Sequence, residues 1–185
     1  MIRRELEIED LELKDAFVIK PKEFYDERGA FIKIYDRAIL SKKNVEPVFP
    51  EDYISISKKG VIRGLHYQLD PHAQAKLVRV VSGKIIDVLV DLRKGSPTFG
   101  KWAAVEVSAD NKISVYVPRG FAHGFIAMED DTMVSYKVDN DYAPAHERGI
   151  VFDDPKIGIK WPAMEYILSE KDRKWSSFEE ADKFD

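Results

Sequence analysis

Between residues 52 and 138 the chain is a run of short apolar segments cut at regular intervals by turn signals. "YISIS" (53–57) alternates, "KKG" turns, and "VIRGLHYQ" (61–68) follows. Then come "KLVRVV" (76–81), "IIDVLVDL" (85–92), "KWAAVEV" (101–107), "KISVYV" (112–117), "FAHGFIAM" (121–128) and "TMVSYKV" (132–138). Each run has the length of a strand, and the breaks carry the Gly, Pro, Asn and Asp that reverse a chain. Strands spaced this evenly build a double sheet or a barrel. Upstream, "DAFVIK" (15–20) and "GAFIKIYD" (29–36) flank a further turn, "YDERG" (25–29). Helical signals are scarce. "RAILSKK" (37–43) suits one short turn, and the tail 169–184 has cap spacing at Ser169 with Asp172 and at Ser176 with Glu179. The expectation is one all-β domain over 1–185, a double-sheet jelly roll with a short helical C-terminal tail.

Composition narrows the chemistry. The 185 residues include no cysteine, which removes disulfides, thiol nucleophiles and cysteine-ligated zinc. The four histidines are His66, His72, His123 and His146. The net charge is -4 and the basic residues are scattered, so no nucleic acid and no anionic membrane is expected as a partner. There is no glycine-rich dinucleotide fingerprint and no Walker loop. "MIRRELEIED" is too charged for a secretory core, and no apolar run reaches the ~18 residues of a spanning helix, so the expected location is cytoplasmic.

Strand parity then groups side chains by face. Val134, Tyr136 and Val138 share one face, as do Phe121, His123 and Phe125, and Lys76, Val78 and Val80. Three polar groups on three apolar faces suit the wall of a ligand cavity. Each also has a structural account. Tyr136 would place its hydroxyl at the rim of a core, His123 would be a satisfied buried histidine, and Lys76 would extend its ammonium outward. Their coincidence favours a site. In "GVIRGLHYQ" (60–68), parity puts Ile62, Gly64, His66 and Gln68 on one face and Val61, Arg63, Leu65 and Tyr67 on the other. Arg63 and His66 therefore diverge unless Gly64 marks a bulge. "PRGFAH" (118–123) has the Pro-x-Gly-x-x-His form of metal-binding cupins. Those proteins also need an earlier His-x-His pair followed by Glu. Here His66 and His72 stand six apart with Pro71 between them, so no metal site is expected.

Five stretches together carry a resemblance: "YDERGAFIKIYD" (25–36), "SISKKGVIRGLHYQ" (55–68), "AKLVRVVSGKIIDVLVDLRKGSPTFGKW" (75–102), "VPRGFAHGFIAMED" (117–130) and "YKVDNDYAPAHERGIVFDDPKIGIKWP" (136–162). In order and content they resemble the dTDP-4-dehydrorhamnose 3,5-epimerase family, over roughly residues 11 to 172. The resemblance implies a cupin-type jelly-roll homodimer that uses no metal and no cofactor. It implies a dTDP-sugar substrate, dTDP-4-keto-6-deoxyglucose, inverted at C3 and C5. By position, His66 corresponds to the base, Asp172 to its supporting carboxylate and Tyr136 to the acid. Arg28, Arg63, Lys76, His123, Glu147 and Lys171 match substrate-binding positions. Three residues depart from the family pattern. Lys33 stands where Glu is usual, and Glu51 and Tyr53 replace a usual Gln and Asn.

The chemistry of such a reaction asks for these residue types. Removing a proton beside a ketone needs a base that titrates near neutrality, which imidazole supplies. A carboxylate would orient it. Base catalysis contributes roughly 10²–10⁴-fold, so the enolate oxygen also needs fixed donors, worth about 3–4 kcal/mol. Lys76 and His123 are the candidates, with Arg63 nearby. A protonated tyrosine suits proton return on the opposite face. Asp172 also has an account as a helix cap. Rival functions on the same fold are a 3- or 5-monoepimerase, a 3,4-ketoisomerase, a metal-dependent oxygenase and a non-catalytic sugar-binding module.

Overall fold

The computed structural model describes residues 6–45 and 48–185. Thirteen strands account for most of the regular secondary structure in that range. They are β1 (Glu7–Asp10), β2 (Phe17–Lys20), β3 (Lys22–Asp26), β4 (Gly29–Lys33), β5 (Glu51–Ser57), β6 (Ile62–Gln68) and β7 (Lys76–Ser82). After them come β8 (Lys84–Asp91), β9 (Trp102–Ser108), β10 (Ser114–Val117), β11 (Phe121–Ala127), β12 (Thr132–Val138) and β13 (Glu147–Gly149). One short helix, α1 (Arg37–Ser41), is capped by the Asp36 carboxylate, which accepts the Ala38 N–H.

Two antiparallel sheets result. The larger has the order β1-β2-β10-β7-β12-β5, the smaller β13-β6-β11-β8-β9. They pack face to face, because alternate residues of both sheets meet in one core. Val78, Val80, Val115 and Val134 come from the larger sheet, and Ile85, Leu89, Phe121 and Phe125 from the smaller. Fully burying a side chain of this kind contributes about 1.5–3 kcal/mol. The architecture is the expected jelly roll of cupin type. β3 and β4 form a separate two-stranded ribbon, a strand more than the turn over 25–29 suggests.

The outer faces are covered differently. α1 lays Leu40 over Phe17, Ile19, Leu77 and Tyr116 of the larger sheet. Residues beyond β13 spread across the smaller sheet, where Ile157, Trp161, Phe178, Ala181 and Phe184 pack on Tyr67, Val90 and Ala122. This segment differs from the expected helical tail. Its capping side chains close single turns: Ser169 Oγ accepts the Asp172 N–H at 3.0 Å, and Ser177, rather than Ser176, accepts from Glu180 at 3.3 Å. Only Asp172–Lys174 forms a 3-10 turn. The apolar residues of the tail have no 3.6-residue period, so docking each on the sheet wins over continuous helix.

β6 contains the bulge that parity required. His66 pairs with His123 and Arg63 with Phe125, so three steps along β6 face two along β11. Gly64 makes this possible. Its φ is +140°, and a Cβ there would lie 2.5 Å from the Gly124 Cα. The extra residue turns Arg63 to the same side as His66.

Candidate active site

The interior between the sheets opens at one end into two adjoining cavities of about 230 and 240 Å³. His66, Lys76 and Tyr136 line both. Arg63, His123, Lys171 and Asp172 line one, and Glu147 lines the other. Eight of the nine residues singled out in the sequence therefore converge. A larger cleft of about 900 Å³ lies elsewhere, between the 10–17 loop and Arg119, and holds none of them.

His66 reaches the cavity from β6 and meets Asp172 from the C-terminal segment, 106 residues away, with Nε2 and Oδ1 2.5 Å apart. Asp172 is buried. Burial pushes its carboxyl up, but the contact with His66, the Ser169 hydroxyl and the Trp175 N–H outweigh burial and hold it below the usual carboxylate range. Trp175 also packs edge-on against the His66 ring at 5.9 Å. Gly149, the β13 residue opposite His66, leaves room for the indole, since a Cβ there would fall 2.4 Å from it. A carboxylate on Nε2 directs that nitrogen's proton away from the cavity and leaves Nδ1 with a lone pair, the form a base requires.

His123 sits beside His66 on β11 and has its own carboxylate, Asp87 of β8, at 2.7 Å. Asp87 is fully buried, and its Oδ2 has no hydrogen-bond partner. Lys76 enters from the facing sheet. Burial pushes its ammonium down to about 8, while Asp87 and Glu147 pull the other way. Tyr136 is raised by burial, opposed by the Arg63 guanidinium and the Ser55 hydroxyl, and stays a protonated phenol at neutral pH. Arg63 is anchored by bonds from Nε to Ser57 Oγ at 3.1 Å and from Nη2 to the Ile56 carbonyl at 3.2 Å.

At the mouth, the Glu147 carboxylate accepts from the Tyr142 hydroxyl at 2.7 Å and from Lys171 Nζ at 2.6 Å. Glu51 and Tyr53, two of the departures from the family pattern, belong to this rim. Lys33 does not; it pairs with Asp36 beside α1. His72 packs against His146 with ring centroids 4.6 Å apart. Among the described residues no group of three or more His, Asp or Glu gathers as metal ligands.

Arg28 is the exception among the expected site residues. It lies at the tip of the β3–β4 ribbon, its side chain is 85% exposed, and its partner there is Asp26. It takes no part in this chain's cavity. Sequence reading also passed over Asp87, Trp175 and Tyr142. Asp87 had a signal, because it shares parity with Ile85 and Leu89 and so had to face the interior. Trp175 had none, since its distance from His66 in sequence says nothing of contact.

The comparisons with known proteins agree with this geometry. The family model described as dTDP-4-dehydrorhamnose 3,5-epimerase matches residues 10–180. The curated enzyme of that name from Shigella flexneri is 47% identical over 176 residues, which is 94% of this chain and 96% of the relative. A crystal structure of dTDP-4-dehydrorhamnose 3,5-epimerase from Elizabethkingia anophelis superposes with a TM-score of 0.91 at 44% identity, covering 94% of this chain and 97% of that one. A dTDP-6-deoxy-D-glucose-3,5-epimerase from Legionella pneumophila, solved in complex with dTDP-4-keto-L-rhamnose, also gives 0.91, at 37% identity and 96% and 95% coverage. On its sequence, its fold and its relatives, this chain belongs to the dTDP-4-dehydrorhamnose 3,5-epimerase family.

Proposed function

We propose that the chain inverts dTDP-4-keto-6-deoxy-D-glucose at C3 and C5 by proton abstraction and return, with His66 as base and Tyr136 as acid. The observation that carries this reading is the His66–Asp172 pair lining the same cavity as a partly buried, protonated tyrosine. His66 Nδ1 takes the proton from carbon beside the C4 ketone. Charge moves to the C4 oxygen, where Lys76 and His123 are the proposed stabilising groups. Fixed donors placed where that charge develops are worth several kcal/mol. Tyr136 then gives its proton to carbon on the other face, which inverts the centre; Tyr136 regains a proton from solvent and His66 gives its proton up to solvent. Repetition at the second carbon completes the reaction. Arg63 and Lys171 are the proposed diphosphate contacts, since guanidinium and ammonium groups at a cavity mouth suit phosphate oxygens.

A homodimer is the proposed assembly. Ile54 and Ile56 on the edge strand β5 are 63% and 59% exposed, and Phe31 on the projecting ribbon is 74% exposed. An apolar sheet edge and ribbon of this kind are covered when two copies pair. Arg28 on the ribbon tip would then serve the neighbour's cavity. The reaction itself is tested by incubating dTDP-4-keto-6-deoxyglucose with the protein in deuterium oxide and following label and configuration by NMR. Label at C3 and C5 with inversion at both is expected; inversion at a single centre would assign a monoepimerase instead.

A further inference from the structure

The rim of the cavity holds a tyrosine, Tyr53, that the proposed mechanism has not used. Tyr53 on β5 stands directly across from Tyr136 on β12 in the sheet register. Their ring centroids are 5.6 Å apart with the planes inclined by 31°. Tyr53 lines the cavity beside His66, Lys76 and Tyr136. Its hydroxyl donates to the Glu51 carboxylate, which also accepts the Tyr142 N–H at 3.3 Å. Tyr142 in turn donates to Glu147, the partner of Lys171. The Tyr53 ring is thus tethered on its polar end and pressed on its face against the proposed acid.

We propose that Tyr53, tethered by Glu51, is a positioning residue that fixes the ring of Tyr136 for proton delivery and so sets how often the enolate goes forward. This inference rests on the reading of His66 as base and Tyr136 as acid. β5 is an edge strand, so β12 has a sheet neighbour on that side only through β5. A phenol delivering a proton to carbon must hold its oxygen near the bond-forming distance, and a displacement of about 1 Å costs on the order of 10²-fold. Tyr136 has β-sheet neighbours on both sides but, among the described residues, only one ring packed against its own, that of Tyr53. Asparagine, usual at position 53 in the family pattern, offers no ring at all. Tyr53 with Glu51 two residues earlier supplies both the ring and its tether. An aromatic pair of this geometry contributes enough orientation energy to change a partition by about two- to tenfold.

The enolate has two fates. Tyr136 protonates it on the far face and gives product, or His66 returns a proton to the original face and gives back substrate. In deuterium oxide the second fate labels the substrate pool, so the ratio of labelled substrate to inverted product measures the partition. Wild type, Tyr53→Ala, Tyr53→Leu and Tyr53→Phe are to be compared as intact proteins. Tyr53→Ala is expected to raise the ratio about two- to tenfold, acting on kcat more than on KM. Tyr53→Leu, which keeps bulk without a ring, is expected to do the same and covers the case in which alanine prevents folding. Tyr53→Phe keeps the ring and is expected to lie between alanine and wild type. An unchanged ratio in both Tyr53→Ala and Tyr53→Leu, with KM alone altered, would make Tyr53 a substrate contact and overturn the inference. If wild type itself neither labels nor inverts the sugar, the proposed reaction fails first, which is a separate outcome.

Discussion

His66 and His123 stand directly opposite each other in adjacent strands, yet each turns its Nε2 to a different carboxylate. His66 takes Asp172 from the C-terminal segment, and His123 takes Asp87 from β8. Two imidazoles of the same sheet are thereby given separate supports. Asp172 also has the Ser169 hydroxyl and the Trp175 N–H to stabilise its charge, whereas one oxygen of Asp87 has no hydrogen-bond partner. The first arrangement suits a base that gains and loses a proton with each cycle. The second suits a group that keeps its charge distribution fixed near Lys76.

The first prediction follows from that division. His66→Ala should lower turnover by roughly 10²–10⁴-fold and remove deuterium exchange at both C3 and C5, because one base is proposed for both. Asp172→Asn retains the imidazole and loses its anchor. Its loss should be smaller, about 10–100-fold. Exchange that persists at either carbon in His66→Ala would show a second base.

Lys76 links activity and stability through pH. Its folded pKa of about 8 lies below the ordinary 10.5. Between those values the unfolded chain binds more protons than the folded one, so stability rises with pH across that window. Below pH 8 the cost of burying the charge is complete, and has an upper bound of about 3 kcal/mol. Lys76→Met should therefore raise the urea midpoint at pH 7, and the gain should shrink between pH 8 and pH 10.5. The same substitution should lower kcat by at least about 10-fold, since it removes a donor from the enolate. Wild-type activity should fall above pH 8 as the ammonium is lost. A Lys76→Met protein less stable than wild type at pH 7 would contradict the account.

Much of this site was legible in the sequence because strand parity is a strong constraint. Tyr136, His123 and Lys76 each had apolar neighbours two residues away, and the structure turns all three inward. Arg63 was harder, since parity alone sends it away from His66; only the glycine between them signalled a bulge. The Asp172 support could not be read from periodicity. It depends on a tail that crosses the outer face of the smaller sheet and folds as turns, and capping signals that suggested helix close those turns. Arg28 illustrates a different limit. Its position in the motif is clear, but the structure places it at the ribbon tip, outside this chain's cavity.

The bulge itself can be tested. Gly64→Ala places a methyl group 2.5 Å from the Gly124 Cα at a φ of +140°. Neither strand can move aside without breaking the β6–β11 ladder. Backbone strain and overpacking together should cost about 2–5 kcal/mol, read as a fall in the urea midpoint. A folded fraction should also lose activity, because Arg63 and His66 would no longer face the same way. A variant with unaltered midpoint and turnover would mean that the bulge does not set the site.

The last prediction asks whether two copies build each site together. If Arg28 acts in the neighbour's cavity, then Arg28→Ala and His66→Ala are each inactive as homodimers for different reasons. In a mixed dimer, one cavity would have an intact His66 from its own chain and an intact Arg28 from the other. The second cavity would carry both defects. Unfolding the two variants together and refolding them should give about half of the dimers as mixed pairs by random assortment, each with one restored site. About a quarter of wild-type activity should therefore return per cavity present. The sedimentation mass should equal two chains throughout, and Ile56→Glu, which places a charge on the exposed edge of β5, should shift it toward one chain and abolish the recovery. If the mixture stays as inactive as its parents while the dimer forms normally, Arg28 serves no neighbouring site, and its place on the ribbon tip is a matter of its pairing with Asp26 alone.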